Sequence, residues 1–279
     1  MRGISKNRSI KIGLCILCIL LFLAVFADFI APYDPNQKDL DERLIKPCYE
    51  HPFGTDHLGR DILSRVIFGS RVSIFIGVSV TVISLIIGIL LGITAGYYGG
   101  VVDELIMRIV DGFLAFPSMF LALGVTAFLG QGVFNLMVAL TVVQWTTFAR
   151  VARGSTLDIK ARPYVEASRW LGAGNLYTIT RHVLPNILPP LLIVASLGIG
   201  NVILTAAGLS FLGLGVQPSI PEWGSMLNDG RVFLIKAPYI MIFPGLMIMI
   251  TVLAFNFLGD GLRDMMDQRI RHAELKRKM

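Results

Sequence analysis

Six stretches of this 279-residue chain are too long and too apolar to be core elements of a water-soluble domain. A helix needs about 20 consecutive apolar residues to cross the hydrocarbon layer of a bilayer. Candidate spans run over residues 12–31, 72–97, 112–129, 133–149, 187–208 and 239–258. Composition agrees: 54% of residues are hydrophobic and 16% charged, with a mean hydropathy of +0.68. A soluble domain of ordinary make-up has about 25% charged residues. The expected fold is all-α, a single membrane domain over residues 1–279 with six transmembrane helices.

The start of the chain, with Arg2, Lys6, Arg8 and Lys11 before an apolar run, has the charge order of a signal peptide. The run is too long for a typical signal and further spans follow, so it reads as a retained first span. With the N-terminus inside, 17 of the 25 Lys and Arg residues fall on the inner side and 8 on the outer. Positive charge concentrates on the cytoplasmic side of membrane proteins, so the expected topology is N-in and C-in across a cytoplasmic (inner) membrane. The formal charge of +6 then answers to topology and anionic membrane lipid, and no nucleic acid is expected as a partner. Cys15 and Cys18 form a C-x-x-C inside an apolar run. Without polar surroundings or further ligands they read as packing residues, not as a redox or metal site.

Gly88, Gly92 and Gly96, with Ser84 one step earlier, recur every four residues in the second span. Small residues at that spacing let a second helix approach closely. Beyond them, Glu104 and Arg108 are spaced to pair on one helical face. The outer segments 32–71 and 209–238 are rich in Pro, Gly and aromatic residues. The stretch from Arg60 to Arg65 reads as amphipathic and suited to the interface plane, and the segment from Ser210 to Trp223 as a cap.

The inner segment 150–186 is the most informative. It reads Arg162-Pro-Tyr-Val-Glu166-Ala167-Ser168-Arg-Trp-Leu-Gly172-Ala173-Gly174, then Arg181-His182-Val-Leu184-Pro185-Asn186. A short helix, a glycine turn and a second short helix ending before Pro185 are expected. Trp170, Leu171, Leu176, Tyr177 and Ile179 need a partner to cover them.

These residues are similar to the EAA loop of permease subunits in binding-protein-dependent ABC importers: Glu166-Ala167-Ser168, then Gly172, then His182-Val183-Leu184-Pro185. His at 182, where the general pattern favours Ile, resembles the dipeptide, oligopeptide and nickel branch. So do Phe53-Gly-Thr-Asp56-x-x-Gly59-Arg60-Asp61, Ser210-Phe-Leu-Gly-Leu-Gly215 with Pro221-Glu-Trp-Gly224, and Ala254-Phe-Asn256-x-x-Gly259-Asp260. The resemblance implies a type I importer permease that works as one of two similar subunits, a heterodimer. Two cytoplasmic ATPase subunits would bind ATP and Mg, and an extracytoplasmic solute-binding protein would deliver the solute. By position, Glu166 would contact the ATPase, Ala167 would pack in its groove, Gly172 would allow the turn, and Ser168, Ala173, Leu184 and Pro185 would complete the coupling loop. The implied cargo is a di- or oligopeptide, with nickel or a metal chelate as the alternative.

No G-x-x-x-x-G-K-[ST] segment occurs, so no ATP site of its own and no enzymatic activity are expected. A secondary transporter would place ionisable groups at depth, and an intramembrane enzyme would need a catalytic constellation. The spans carry almost no charge, and His51, His57, His182 and His272 lie in polar segments without partner spacing. No metal site is assigned, though His51 and His57 lie close to Asp56.

Overall fold

The computed structural model describes the backbone of residues 8–278 and the side chains of residues 8–266. Arg2, Lys6 and the side chain of His272 lie outside the described residues. The chain is helical: α1 (Arg8–Val25), α2 (Ala27–Ile30), α3 (Ile62–Tyr98), α4 (Gly100–Leu114), α5 (Ser118–Leu129), α6 (Val133–Lys160), α7 (Pro163–Trp170), α8 (Asn175–Thr178), α9 (Leu184–Phe211), α10 (Trp223–Gly230) and α11 (Tyr239–Lys278). Among the described residues the β structure is one bridge, between Thr55 and Asp61.

Four helical stretches are long and apolar enough to cross a membrane: Arg8–Val25, Ile62–Tyr98, Asn175–Phe211 and Tyr239–Met266. The expected third span, 112–129, is not one straight helix. It divides between α4 and α5, which meet at 87° and make a fifth span only if taken together. Pro117 explains the break, because the residue before a proline is forced out of the helical region. The fourth candidate lies in α6, which carries Asn135, Gln144 and several threonines and is shielded by packing along α3. The first span also ends early, at Val25, and α2 follows after Phe26.

Helix α3 is the pillar of the bundle, in contact with α1, α4, α6, α9, α10 and α11. Its 37 residues make a rod of about 55 Å at 1.5 Å per residue. Asp61 caps its start by accepting hydrogen bonds from the Ser64 N–H and Oγ, both at 2.7 Å. Gly88, Gly92 and Gly96 face α6. A methyl group at Gly92 would lie 2.5 Å from the Ala149 carbonyl oxygen and 2.6 Å from the Ala152 Cβ. At Gly96 it would lie 2.8 Å from the Arg153 carbonyl oxygen, and at Gly88 2.8 Å from the Ala149 nitrogen. The two backbones therefore touch over about two turns, the arrangement that small residues permit in lipid.

The loop between α2 and α3 is pinned by buried charge. Asp56 accepts from Arg60 Nε at 2.6 Å, and Arg60 Nη2 donates to Asp229 at 2.9 Å. Arg65 donates to the Pro35 carbonyl at 3.0 Å, and Arg60 and Arg65 both reach the Pro218 carbonyl at 3.3 Å. The stretch from Arg60 to Arg65 is thus not interfacial: Ile62 opens α3, and both arginines are buried because each has several acceptors. His51 is also buried, with Nδ1 2.9 Å from Asp61 and Nε2 3.2 Å from Glu42. Burial acts to lower its pKa, but the hydrogen bonds and charges of the two carboxylates outweigh that and raise it above 6.5. Across from this loop, buried Glu222 caps α10 by accepting the Gly224 and Ser225 N–H groups at 2.8 Å. Burial pushes its carboxyl upward against those bonds. Trp223 is fully buried and donates to the Val66 carbonyl at 3.1 Å.

The glycine seam predicts that Gly92→Ala destabilises the chain by roughly 1–3 kcal/mol, as overpacking does. Gly124→Ala, where no atom lies within 4 Å, should leave the thermal midpoint in detergent unchanged or slightly raised. His51 predicts a pH dependence. Its raised folded-state pKa means that its stabilisation is complete below 6.5 and lost as pH rises through the higher folded value. Hydrogen exchange over residues 42–61 should accelerate, beyond the intrinsic base effect, as pH rises above 6.5. The extra acceleration should vanish in His51→Gln.

Candidate functional site

At the other end of α3 the chain between α6 and α9 forms an exposed hairpin. Arg162 is extended, as a residue before proline must be, and Pro163 opens α7, where its missing N–H costs nothing. Glu166 lies in the first turn of α7, where the helix dipole favours a carboxylate. The helix closes with Leu171 N–H on the Ala167 carbonyl, Gly172 N–H on Arg169 and Ala173 N–H on Ser168. Gly172 has φ +87°, a conformation costly for residues with a Cβ, so this turn requires glycine. Gly174 has φ −66° and serves no such purpose.

Segment 150–186 is shorter as a loop than its polarity suggests. α6 runs on to Lys160, and after α8 a π-helical turn, Ile179–Val183, leads directly into α9. Pro185 therefore does not end a helix. It sits in the first turn of α9, where proline is tolerated. Glu166, Ala167 and Gly172 are exposed, and Ser168 and Ala173 half-buried, all within one hairpin. Leu184 and Pro185 lie at its base, beyond the π turn. Gly88, Gly92 and Gly96 are elsewhere, in the α3–α6 seam, but the seam ends one residue before the tyrosine that braces the hairpin.

That tyrosine, Tyr97, is buried at the end of α3. Its hydroxyl donates to Asn175 Oδ1 at 3.1 Å, its carbonyl accepts Lys160 Nζ at 2.6 Å, and Arg169 lies over its ring at 5.8 Å. Three elements of the hairpin region therefore meet on one side chain. Tyr164 and Tyr177 turn their rings edge-on to His182 at 6.0 and 5.8 Å, holding its two arms together. Sequence reasoning missed Tyr97 and Asn175, since no short-range pattern links residues 78 positions apart. It also missed the pairs between α4 and α6: Asp103 takes both Nε and Nη2 of Arg153, at 3.0 and 2.6 Å, and Asp111 takes Arg150 at 2.6 Å. Glu104 and Arg108 do pair, at 3.1 Å, but both are exposed and such a pair contributes little.

The outer face of the hairpin is apolar and uncovered. Trp170 is 89% exposed, Leu171 88% and Leu176 75%. The carboxylate of Glu166 has no ion pair among the described residues. An apolar crest beside an unpaired carboxylate is equipped to seat in a complementary protein groove. It carries no catalytic grouping. Among the described residues no set of three or more His, Cys, Asp or Glu side chains is arranged for a metal ion. His51 is occupied as described, and His57 stacks on Phe233 at 5.5 Å.

Comparison with known proteins agrees over nearly the whole chain. The family model described as the binding-protein-dependent transport system inner membrane component matches residues 88–272. A second, the N-terminal TM domain of oligopeptide transport permease C, matches residues 1–47. The glutathione transport system permease protein GsiD of Pectobacterium atrosepticum is 43% identical over 271 residues, 97% of this chain and 90% of that protein. GsiD of Escherichia coli O6:K15:H31 is 46% identical over 254 residues, 91% of this chain and 84% of its own. Among solved structures, an inward-facing conformation of the MetNI methionine ABC transporter shares the fold with a TM-score of 0.59 at 19% identity, covering 73% of this chain and 97% of that one. An amino acid ABC transporter aligns with a TM-score of 0.51 at 16% identity, over 71% of this chain and 92% of the other. The chain belongs to the binding-protein-dependent transport system inner membrane components, as an ABC importer permease of the oligopeptide branch.

Proposed function

We propose that this permease passes a small peptide across the cytoplasmic membrane, with both termini inside, and that the 161–183 hairpin couples the passage to ATP hydrolysis in separate subunits. The observation that carries the coupling role is the bare crest of Trp170 and Leu171 beside unpaired Glu166, on a hairpin braced against two long helices through Tyr97. A push on α7 is passed to α6 through the two-residue connection 161–162 and to α3 through Lys160 and Tyr97. It reaches α9 through the π turn and buried Val183 and Ile187. Glu166 and Ala167 meet an ATPase subunit that binds ATP and Mg, Ser168 and Ala173 hold the turn, and Leu184 and Pro185 anchor its base. A second, homologous permease completes the path, and a solute-binding protein docks on the face formed by the loop before α3 and by α10. ATP favours one state of the assembly and the loaded binding protein selects the state that accepts solute.

The peptide reading rests on the relatives: their name specifies glutathione, itself a small peptide. Uptake of labelled glutathione, a dipeptide, a longer peptide and nickel, in a deletion strain and its complemented parent, tests it. Loss of a peptide alone supports the reading, and loss of nickel alone overturns it.

Glu166→Lys should reduce uptake at least tenfold while leaving membrane levels of the protein unchanged, because the residue is exposed and reversed in charge. Gly172→Pro should do the same, since proline fixes φ near −65° where +87° is required. Normal uptake in both variants would remove the coupling role.

A further inference from the structure

We propose that Gln144, Asn201 and Thr205, with Ser118, form a wet polar strip lining the translocation path, whose neutral amides exchange hydrogen bonds with the backbone of the passing peptide. The assignment rests on the peptide-import reading and adds residues to it.

Asn201 lies on α9, about 26 Å from its start and about 15 Å from its end by helical rise, deep within the apolar stretch Asn175–Phe211. It is exposed, and its side-chain amide has no protein partner among the described residues. An amide left in hydrocarbon without a hydrogen bond costs several kcal/mol, so polar side chains at depth face water or protein. One turn on, the Thr205 hydroxyl donates to the Asn201 carbonyl at 2.8 Å, which places the two on one face of α9. Gln144, about 17 Å into α6, approaches that helix: its Nε2 lies 3.3 Å from where a Cβ on Gly198 would stand. The missing side chain at Gly198 makes the room. Gln144, Thr205 and Ser118, from three helices, open on a niche of about 30 Å³, enough for a water molecule.

The chemistry of the strip is specific in what it lacks. It holds donors and acceptors but no charge, and amides can pair with peptide groups whatever side chains the cargo carries. A metal ion would find no carboxylate, thiolate or imidazole there.

The test is cysteine accessibility in the intact importer in membrane vesicles, with Cys15, Cys18 and Cys48 replaced by serine. Asn201→Cys, Thr205→Cys and Gln144→Cys are compared with Leu90→Cys, an exposed apolar position on α3, using a charged, membrane-impermeant thiosulfonate. The strip should react at least tenfold faster than position 90, and excess transported peptide should slow it. Reaction of all three no faster than position 90 would overturn the assignment. Asn201→Leu should raise the KM for uptake severalfold, with Asn201→Gln closer to wild type; an unchanged KM in Asn201→Leu would equally count against it. A fast-reacting strip in an assembly that imports no peptide would leave the lining standing and remove the peptide reading. A slow strip in a working peptide importer would do the reverse.

Discussion

Helices in lipid cannot be driven together by expelling water, since the surrounding acyl chains are as apolar as leucine; what holds them is close packing and hydrogen bonding. In this permease the closest packing is between α3 and α6, where Gly88, Gly92 and Gly96 let one backbone lie on the other. The remaining arrangement follows from it. With α6 held along α3, Arg150 and Arg153 face Asp111 and Asp103 of α4, and Lys160 arrives at the carbonyl of Tyr97. The end of α6 then sets where α7 begins, and so where Glu166 and the Trp170–Leu171 crest are presented.

The two ends of α3 are built on opposite principles. At its start, buried arginines, aspartates and His51 satisfy one another and neighbouring carbonyls. Such a network stabilises one geometry and penalises others, because any opened pair leaves a charge unmatched away from water. At its end, the hairpin is held by Tyr97 with Asn175, Lys160 and Arg169 and by the rings around His182, with most of its surface bare. Segments with few buried contacts and exposed hydrogen bonds open most readily. A pinned end and a sparsely held one, joined by a rod of about 55 Å, suit the coupling role proposed for the hairpin.

Among the described residues the strip between α5, α6 and α9 holds amides and hydroxyls, while Asp103 and Asp111 of α4 pair with Arg153 and Arg150 in the second half of α6. Ion-coupled transporters place ionisable groups at depth, where their titration or coordination does the coupling. Membership of the ABC importer permeases implies ATPase and substrate-binding partners.

The apolar runs, the four-residue glycine repeat and the Glu166–Gly172 motif were legible in the sequence because each depends on local rules. Burial in lipid requires length, helix contact requires small residues at one spacing, and a left-handed turn requires glycine. The positions of Pro117 and Pro185 were equally plain, but their consequences differed: one breaks a helix at 87° and the other sits harmlessly in a first turn, according to which backbone N–H groups were already unpaired. Only the tertiary structure decided that Arg60 and Arg65 are buried braces and not an interfacial stretch, since beside Asp56 and Pro35 they need the acceptors of Asp229 and Pro218, more than 150 residues away. It alone brought Tyr97 to Asn175 and Gln144 to the gap left by Gly198. Sequence determines what each segment must bury or expose, whereas the partner that satisfies it is chosen by packing between segments remote along the chain.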